Sequence, residues 1–463
     1  MQVLYVGHAC LIVEVAGKRI LMDPWMVGSV YCNAWWHVPP LAHSVEDLLP
    51  IDIIMISHVH EDHFHVPTLK LLPKSATVVI PYSFDPWMKQ TIEKMGFARV
   101  IECEHALSLS LGPGLRVENF HFGRLDSAYW LEANGETLLN LNDCPLSVRW
   151  VQRFRRTHPS PDIALGIFSY SSPYPLCYDI PGVEHHAMMT ENRQRYLRQF
   201  ARTMAALQPR FSVPIATQYG FLGKDQWWMN SFLPTPGQAL ASLAEENPKV
   251  RGVVLNPGDR LSSREGFQPG GPPFDWGQRE TLIPQLAQQR AQEIRKAFEL
   301  EIQPPQGWFD QFSHYFDQIL RRNPLLRRRI GTAVAFVPAP HQERWVVDCS
   351  RPSHWTSRQG NPSAAIEIHL PEALLYAAVE GQAHWENLYG SCRLQVRVPA
   401  ELLDREWNFW RMLFNFRQGM LQDRLAFLSP RGIRVLYRRR REMGQILWKR
   451  LLGRSHREPD RDF

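Results

Sequence analysis

Ser57-His58-Val59-His60-Glu61-Asp62-His63 is the most informative stretch of this chain. It directly follows the largely apolar run 51–56, whose length and β-branched residues predict a buried strand. The end of a strand anchors the backbone, so the following loop can aim several side chains at one point. Three imidazoles and a carboxylate suit borderline divalent metals such as Zn²⁺ or Fe²⁺. The stretch therefore predicts a metal site rather than a polar loop with incidental histidines.

Around this stretch, short β-like runs alternate with helical segments over residues 1–165. Apolar residues at helical spacing predict a long amphipathic helix over roughly 191–207, with Thr190 as its N-cap. A further strand is expected at 252–255 and a helix near 279–300. The pattern is typical of an α/β protein.

The Pro/Gly-rich stretch 268–273 is the best candidate for a domain boundary, because such composition favours loops. Beyond it, a helix is followed by β-like runs and then by apolar-basic helical segments. The predicted organisation is a catalytic domain at 1–267, a linker at 268–280 and a C-terminal α+β domain with a basic helical tail at 281–463.

The charge of the chain is unevenly distributed. The 463 residues carry a net charge of +6, but residues 431–457 alone hold nine Arg, one Lys and one Glu, which is +9. The rest of the chain is therefore close to neutral, at −3, which argues against a nucleic-acid-binding surface spread over the fold. The basic tail could contact a membrane surface, but a helix docked on the protein through its apolar face is favoured.

Composition also bears on the cellular compartment. No apolar run approaches the roughly 18 to 20 residues that cross a bilayer, and the N-terminus lacks the pattern of a signal peptide. The seven cysteines are scattered and include no C-x-x-C pair. A disulfide framework is therefore not expected, and a reducing cytoplasm fits.

The histidine-rich stretch, together with His8 in Gly-His-Ala and Asp23 in Asp-Pro, resembles the metallo-β-lactamase superfamily. This resemblance implies an αββα sandwich of two mixed sheets with the metal site at the rim. It also implies two divalent metal ions, iron or zinc. The ligands for one metal would be His58, His60 and His121, and those for the other Asp62 and His63. Asp143 would bridge the two, which makes Asp62 and Asp143 the catalytic carboxylates.

Residues 1–265 more closely resemble the metallo-β-lactamase-fold part of the CMP-N-acetylneuraminate hydroxylase family. The motifs that carry this likeness are Asp23-Pro24-Trp25, Trp35-Trp36, Ile56-Ser57-His58, Asp143-Cys144, Leu207-Gln208-Pro209-Arg210 and Pro257-Gly258. The Rieske domain of that family has no counterpart here, since Cys103-Glu104-His105 is not followed by a C-x-x-H.

The last histidine of the superfamily pattern is also missing. The stretch 213–220 lies in its place and offers Gln218 or Tyr219. His8, His185 or His186 could substitute, or a metal position could stay open for O₂ or a substrate oxygen. His8 is either a ligand or a residue that orients one, and Asp23 is expected to orient a ligand histidine.

Three functions remain possible at this stage. The favoured one is an O₂-activating oxygenase or hydroxylase that acts on a small-molecule substrate and takes electrons from a separate ferredoxin or Rieske-type donor. The alternative is a binuclear hydrolase of an ester, amide or phosphoester, which is the commonest chemistry on this fold. A binding protein with a degraded site is disfavoured by the intact histidine-rich stretch. The substrate-binding residues are unknown.

Overall fold

The computed structural model describes residues 1–123, 125–144, 146–169, 172–340, 343–359, 364–417, 420–421 and 429–440. In chain order the strands before residue 270 are β1 (Gln2–Gly7), β2 (Cys10–Val15), β3 (Lys18–Met22), β4 (Trp35–His37), β5 (Ile53–Met55), β6 (Thr77–Pro81), β7 (Arg99–Cys103), β8 (Ser108–Gly112), β9 (Leu115–His121), β10 (Ser127–Ala133), β11 (Glu136–Asn140), β12 (Ile163–Ile167), β13 (Tyr178–Asp179), β14 (Phe211–Ile215), β15 (Tyr219–Phe221), β16 (Arg260–Ser262) and β17 (Gly266–Gln268). The later strands are β18 (Ala333–Ala339), β19 (Arg344–Asp348), β20 (Thr356–Gln359), β21 (Ile366–Pro371), β22 (Gln395–Arg397), β23 (Phe416–Arg417) and β24 (Met420–Leu421).

The α-helices are α1 (Val66–Leu71), α2 (Trp87–Lys94), α3 (Val148–Phe154), α4 (His185–Leu207), α5 (Pro236–Glu246), α6 (Arg279–Gln289), α7 (Ala291–Glu299), α8 (Phe309–Arg322), α9 (Pro324–Ile330), α10 (Glu372–Val379), α11 (Trp385–Gly390), α12 (Leu403–Phe414) and α13 (Pro430–Arg438). Short 3-10 segments lie at Glu46–Leu48, Lys224–Phe232, Trp276–Gln278 and Ala400–Leu402.

The first sheet has the strand order β17-β16-β1-β2-β3-β5-β6-β7. Strands β1, β2 and β3 form an antiparallel meander, whereas β3, β5, β6 and β7 run parallel to one another. Met22 at the end of β3 pairs with Met55 at the end of β5. Because neighbouring parallel strands end at the same edge of a sheet, the loops that begin at Asp23 and Ile56 lie side by side.

Alternation of side chains along the strands builds the layers. Val3 and Tyr5 of β1 pack between the two sheets, whereas Leu4 and Val6 pack with α1 and α2 on the outer face. The second sheet has the order β14-β12-β11-β10-β9-β8. It turns residues such as Leu131 toward the first sheet and packs α3, α4 and α5 on its other face. The predicted αββα sandwich is thereby confirmed.

The C-terminal region adds a third sheet of order β13-β22-β21-β18-β19-β20, covered by helices with an aromatic core. Strand β13 comes from the chain before β14 and pairs in parallel with β22. Trp25, Tyr31 and Trp35 of the sandwich belong to the same hydrophobic cluster as Phe316 and Trp385. An additional α+β region is therefore present and packs against the sandwich, while the predicted boundary at 268–280 stays a prediction.

Three local predictions are wrong. Residues 252–255 form no strand, and only an isolated bridge joins Gly252 to Ser212. The helix expected at 279–300 is two helices that meet at Arg290. Thr190 is not an N-cap, because α4 already begins at His185, where the side chain of the preceding Glu184 accepts two backbone N–H groups.

The basic segment near the C-terminus docks on the sandwich. Arg431 pairs with Glu102, and Arg434 and Arg438 pair with Glu104, so that α13 contacts the edge strand β7 and its end. The segment contacts the sandwich through arginines as far as Arg439, which donates to the carbonyl of Gly123. Docking through an apolar face stays a prediction, because the rest of the tail lies outside the described residues. Within the described parts of the chain, every helix is too short or too polar to cross a bilayer.

Candidate metal centre

Asp23 ties the loop after β3 to the loop after β5. Its carboxylate accepts the backbone N–H of Ser57 at 2.7 Å and the Ser57 hydroxyl at 2.8 Å. The same carboxylate lies 2.9 Å from His63 Nδ1. An N–H on Nδ1 would donate to Asp23 and leave the lone pair of Nε2 directed away from it. Asp23 thus stands behind His63 and fixes the orientation of its ring.

One metal-capable group consists of His58, His60 and Asp126, whose ligand atoms lie within 4.8 Å of one another. His58 Nε2 is 2.8 Å from His60 Nδ1 and 3.8 Å from Asp126 Oδ1. His58 Nδ1 contacts the Ser57 hydroxyl at 2.9 Å, which holds the ring with Nε2 toward the group. The group therefore offers two imidazoles and one carboxylate.

A second metal-capable group consists of His8, Asp62 and His63, which are at most 1% exposed. Asp62 Oδ2 lies 2.9 Å from His8 Nε2 and 3.3 Å from His63 Nε2. The other oxygen of Asp62 accepts a hydrogen bond from the Tyr31 hydroxyl at 2.6 Å. This group also offers two imidazoles and one carboxylate.

Asp143 lies between the two groups and forms a third metal-capable group with His58 and His63. Its Oδ1 is 3.3 Å from His63 Nε2, and its Oδ2 is 3.9 Å from His58 Nε2. The residue follows β11 in a turn that the backbone N–H of Cys144 closes by donating to the carbonyl of Leu141. A carboxylate with one oxygen toward each group is placed as a bridging ligand would be.

Several buried polar atoms at this site lack a hydrogen-bond partner among the described residues. They include Asp126 Oδ1, and also His63 Nε2 and Asp143 Oδ1, which lie 3.3 Å apart without forming a hydrogen bond. Leaving a buried polar atom unpaired costs about 1–3 kcal/mol, so native proteins rarely do so without a reason. Divalent cations between these atoms would satisfy them, and the donor types fit such ions. The residues present therefore fit a binuclear metal centre.

The charges of the site residues also fit a metal centre. Burial disfavours the imidazolium form of His63, but the surrounding aspartates, with Asp143 first, raise its pKa well above the ordinary value. Burial would raise the pKa of Asp62, yet the neighbouring histidines hold it well below its usual range. Burial and nearby imidazoles lower the pKa of His58, and burial raises that of Asp126 to about 7. The carboxylates thus favour positive charge at the centre.

His121, predicted as the third ligand beside His58 and His60, is not part of any metal-capable group among the described residues. It ends β9, where its backbone N–H donates to His105 Nδ1 at 3.0 Å. Asp126, and not His121, has a ligand atom within 4.8 Å of those of His58 and His60, and the ligand role of His121 stays a prediction. Asp126 lies in no motif, so it was not predicted from the sequence. Only the pairing of β9 with β10, which sets His121 opposite Ser127, brings its loop to the site.

Gln218, one of the residues considered for the missing histidine, forms hydrogen bonds within its own loop. Its Oε1 accepts the backbone N–H of Thr217 at 3.1 Å, and its Nε2 donates to the carbonyl of Pro214 at 3.3 Å. His185 lies 3.1 Å from the carbonyl of Leu176 and joins none of the metal-capable groups in the described chain. Of the considered residues, His8 is the one that the structure brings to Asp62.

Known proteins match part of this region. Residues 2–123 match the beta-lactamase superfamily domain. The matched segment includes the histidine-rich loop and all strands from β1 to the end of β9. The predicted resemblance to the metallo-β-lactamase superfamily is confirmed by this match and by the αββα layers described above.

A shorter segment matches a specific group of enzymes. Over 74 residues the chain is 42% identical to the cytidine monophosphate-N-acetylneuraminic acid hydroxylase of Mus musculus and to the inactive hydroxylase of Homo sapiens. The segment is 16% of this chain and covers 13% of the mouse protein and 15% of the human one. The predicted resemblance to that family is thus confirmed, over a small part of either relative.

Solved structures show weaker likenesses. An isothiocyanate hydrolase from Delia radicum gut bacteria is 16% identical, covering 57% of this chain and 98% of its own, with a TM-score of 0.41. CmlA, a diiron beta-hydroxylase from Streptomyces venezuelae, is 19% identical, covering 55% of this chain and 52% of its own, with a TM-score of 0.38.

Proposed function

We propose that this chain is a binuclear iron oxygenase that hydroxylates or otherwise oxidises a small-molecule substrate. The observation that carries the proposal is the composition of the His58–His60–Asp126 and His8–Asp62–His63 groups. Each combines two imidazoles with one carboxylate, and Asp143 lies between them. Two histidines and one carboxylate are typical of non-haem Fe(II) oxygenases. The identity to hydroxylases over 74 residues supports the same choice.

Bound iron would supply the activation of O₂, which side chains alone do not provide. The protein's own residues would hold and orient the centre. Asp23 fixes His63 through its Nδ1, and Ser57 fixes His58 in the same way. The charge of Asp143 would offset the mutual repulsion of two cations. Because these supports are themselves buried, water has little access behind the ligands.

Buried aromatic rings enclose the side of the site near His8. Its ring packs edge-on to Trp25, with the centroids 5.4 Å apart. Trp35 stacks on Tyr219 at 3.7 Å with an interplanar angle of 4°. These tryptophans are at most 1% exposed, so they pack around the ligands rather than line an open pocket. The substrate-binding residues are not assigned by this packing.

Hydroxylation requires an electron source. Incorporating one oxygen atom of O₂ into a C–H bond and reducing the other to water consumes two electrons and two protons. A separate ferredoxin or Rieske-type protein is proposed as the donor, since the sequence contains no complete Rieske motif. All seven cysteines are free thiols, which fits a proposed cytoplasmic location.

A binuclear hydrolase of an ester, amide or phosphoester is the second candidate. The position of Asp143 between the groups favours it equally, because binuclear hydrolases also need a shared carboxylate. Imidazole and carboxylate ligands accept zinc as well as iron. The 42% identity to a hydroxylase over 74 residues favours the oxygenase.

Elemental analysis of protein purified without added metal separates the two candidates. The oxygenase predicts close to two iron ions per chain and a change of the visible spectrum when the reduced protein meets O₂. A variant with both His58→Ala and His60→Ala provides the matched control, in which both signals should fall. Zinc alone, together with turnover of ester or phosphodiester substrates, would contradict the oxygenase and support the hydrolase.

A further inference from the structure

A left-handed turn lies next to the ligand Asp62. Three consecutive residues with side chains, Tyr31, Cys32 and Asn33, have φ values of 52°, 51° and 64°. Left-handed backbone is unfavourable for residues with a Cβ and normally occurs at single positions. Such a conformation persists only where its surroundings hold it, and it is frequent at functional sites. We call Tyr31–Asn33 the left-handed turn.

Contacts from distant parts of the chain hold this turn at each position. Glu61 accepts its first backbone N–H at 2.7 Å, and Arg393 donates to its middle carbonyl at 2.9 Å. The amide of Asn33 donates to the carbonyl of Ala297 and to the carboxylate of Glu301, both at 3.2 Å. Arg393 and Glu301 also form an ion pair, of which both side chains are largely buried. The C-terminal region therefore supplies most of the restraint.

The turn directs one side chain to the metal centre. The Tyr31 hydroxyl donates to Asp62 Oδ1 at 2.6 Å, while Asp62 Oδ2 faces His8 and His63. The Tyr31 ring packs directly on Gly390 of α11. A Cβ at Gly390 would lie 2.7 Å from Tyr31 Cδ1, so no larger residue fits without moving the ring.

We propose that Tyr31 is a positioning residue for the His8–Asp62–His63 group, and that Arg393 and Gly390 set the metal affinity of this group by holding Tyr31 in place. The inference rests on the proposed binuclear centre. By donating to Oδ1, the phenol keeps that oxygen occupied and presents Oδ2 toward the histidines. A residue behind a ligand typically changes metal affinity by about 10–100-fold when it is lost. The C-terminal region thereby becomes part of the centre without supplying a ligand.

Titration of the metal-free protein with Co²⁺ tests the inference, because the visible absorption of Co²⁺ reports its ligand geometry. Wild-type protein should bind two equivalents. Tyr31→Phe removes only the hydroxyl, so the first equivalent should bind as in wild type. The second Co²⁺ equivalent, assigned to the His8–Asp62–His63 group, should bind about 10–100-fold more weakly and with an altered absorption band. Tyr315→Phe is the matched control, since it removes a partly buried hydroxyl, which accepts a hydrogen bond from Trp385.

Gly390→Ala tests the role of α11. The added methyl group should displace the Tyr31 ring and weaken the second equivalent, as Tyr31→Phe does. Gly271→Ala is its control, because no atom lies within 4 Å of the added Cβ there. In the double variant Tyr31→Phe/Gly390→Ala the two effects should not add, since both act on the same hydroxyl. Arg393→Lys, which keeps the charge but not the fork of donors, offers a milder change if Gly390→Ala fails to fold.

The outcomes separate the two levels of inference. Two Co²⁺ equivalents in wild type with unchanged affinity in Tyr31→Phe would overturn the role of Tyr31 and leave the binuclear centre intact. Strictly additive effects of Tyr31→Phe and Gly390→Ala would overturn the coupling through Tyr31. A wild-type protein that binds no Co²⁺ would overturn the proposed centre and this inference together.

Discussion

The rim of the sandwich and the core of the C-terminal region are buried to the same extent but with opposite chemistry. His8, His58 and Asp62 at the rim are at most 1% exposed, as are Phe316 and Trp410 in the C-terminal core. Burying aromatic rings stabilises a fold, whereas burying ionisable groups costs free energy unless they are paired. The ionisable groups at the rim therefore need partners, which the proposed metals would supply, and the C-terminal core stabilises the structure that holds them.

The two regions meet at the left-handed turn and the tryptophans around it. Trp25, Tyr31 and Trp35 belong to the aromatic cluster of the C-terminal region, and Tyr31 also donates to a metal-site carboxylate. The two regions thus pack as one unit but differ in role: the rim carries the ionisable groups, and the C-terminal core stabilises the fold. Variants on each side should separate metal binding from stability.

The largest effect is expected when two ligands are removed at once. His58→Ala combined with His60→Ala should abolish at least one metal equivalent per chain, because two of three ligands of one group disappear. The metal-free protein should unfold at a temperature close to that of wild type, since burial lowers the pKa of His58 and its truncation removes a neutral ring. Elemental analysis and thermal unfolding in chelator measure the two effects. Near-wild-type metal content would show that the metal lies elsewhere.

Phe316→Ala should have the opposite effect: it should lower stability and leave metal content unchanged. The residue is fully buried and its ring lies 4.6 Å from Phe312 and 5.4 Å from Phe336, so truncation leaves a cavity. The free energy of unfolding should fall by about 3–5 kcal/mol, while the folded fraction keeps its metal. Denaturant unfolding and metal analysis of the folded protein provide the comparison. Loss of metal without loss of stability would erase the distinction between the regions.

Asp143→Asn should affect catalysis more than folding. The substitution keeps the shape of the side chain but removes the charge between the two groups. We expect weaker binding of the second metal and a loss of at least about a hundredfold in rate, or about 2.7 kcal/mol of barrier. If Asp143 only capped its turn, Asn would serve almost equally well. Unchanged turnover with two metals retained would support that simpler role.

Comparing Asp126→Asn with His121→Ala identifies which residue completes the metal site of His58 and His60. Asp126 lies 3.8 Å from His58 Nε2, whereas His121 contacts His105. Asp126→Asn should weaken the first metal by about tenfold or more, the scale of losing a charged ligand contact. His121→Ala should have a smaller effect. The reverse order, measured by competition with a chromophoric chelator, would restore the prediction made from sequence.

The smallest effect is expected at the docked basic helix. Glu104→Gln removes the charge that pairs with Arg434, which is 57% exposed, and with Arg438, which is 33% exposed. Ion pairs at the protein surface contribute about 0–1 kcal/mol, so the melting temperature should change little at physiological salt. A large fall, or loss of metal, would mean that α13 supports the nearby rim as well as covering β7.

The sequence by itself identified what lies close together along the chain. His58, His60, Asp62 and His63 fall within one loop, so their chemistry is visible before any fold is known. The αββα architecture was also accessible, because alternating apolar residues and the resemblance both indicate it. Local signals failed where neighbours overrode them, as at Thr190, where α4 begins earlier at a carboxylate cap.

Only the tertiary structure decided which distant residues lie beside the histidine-rich loop. His8 and Asp62 are 54 positions apart and meet because β1 and β5 end at the same edge of one sheet, so that the residues after them lie close together. The β9–β10 hairpin brings Asp126 rather than His121 beside His58. Arg393, 361 positions from Cys32, holds the left-handed turn. Such contacts follow from strand register and from packing between regions, and neither leaves a periodic or motif-level trace in the sequence.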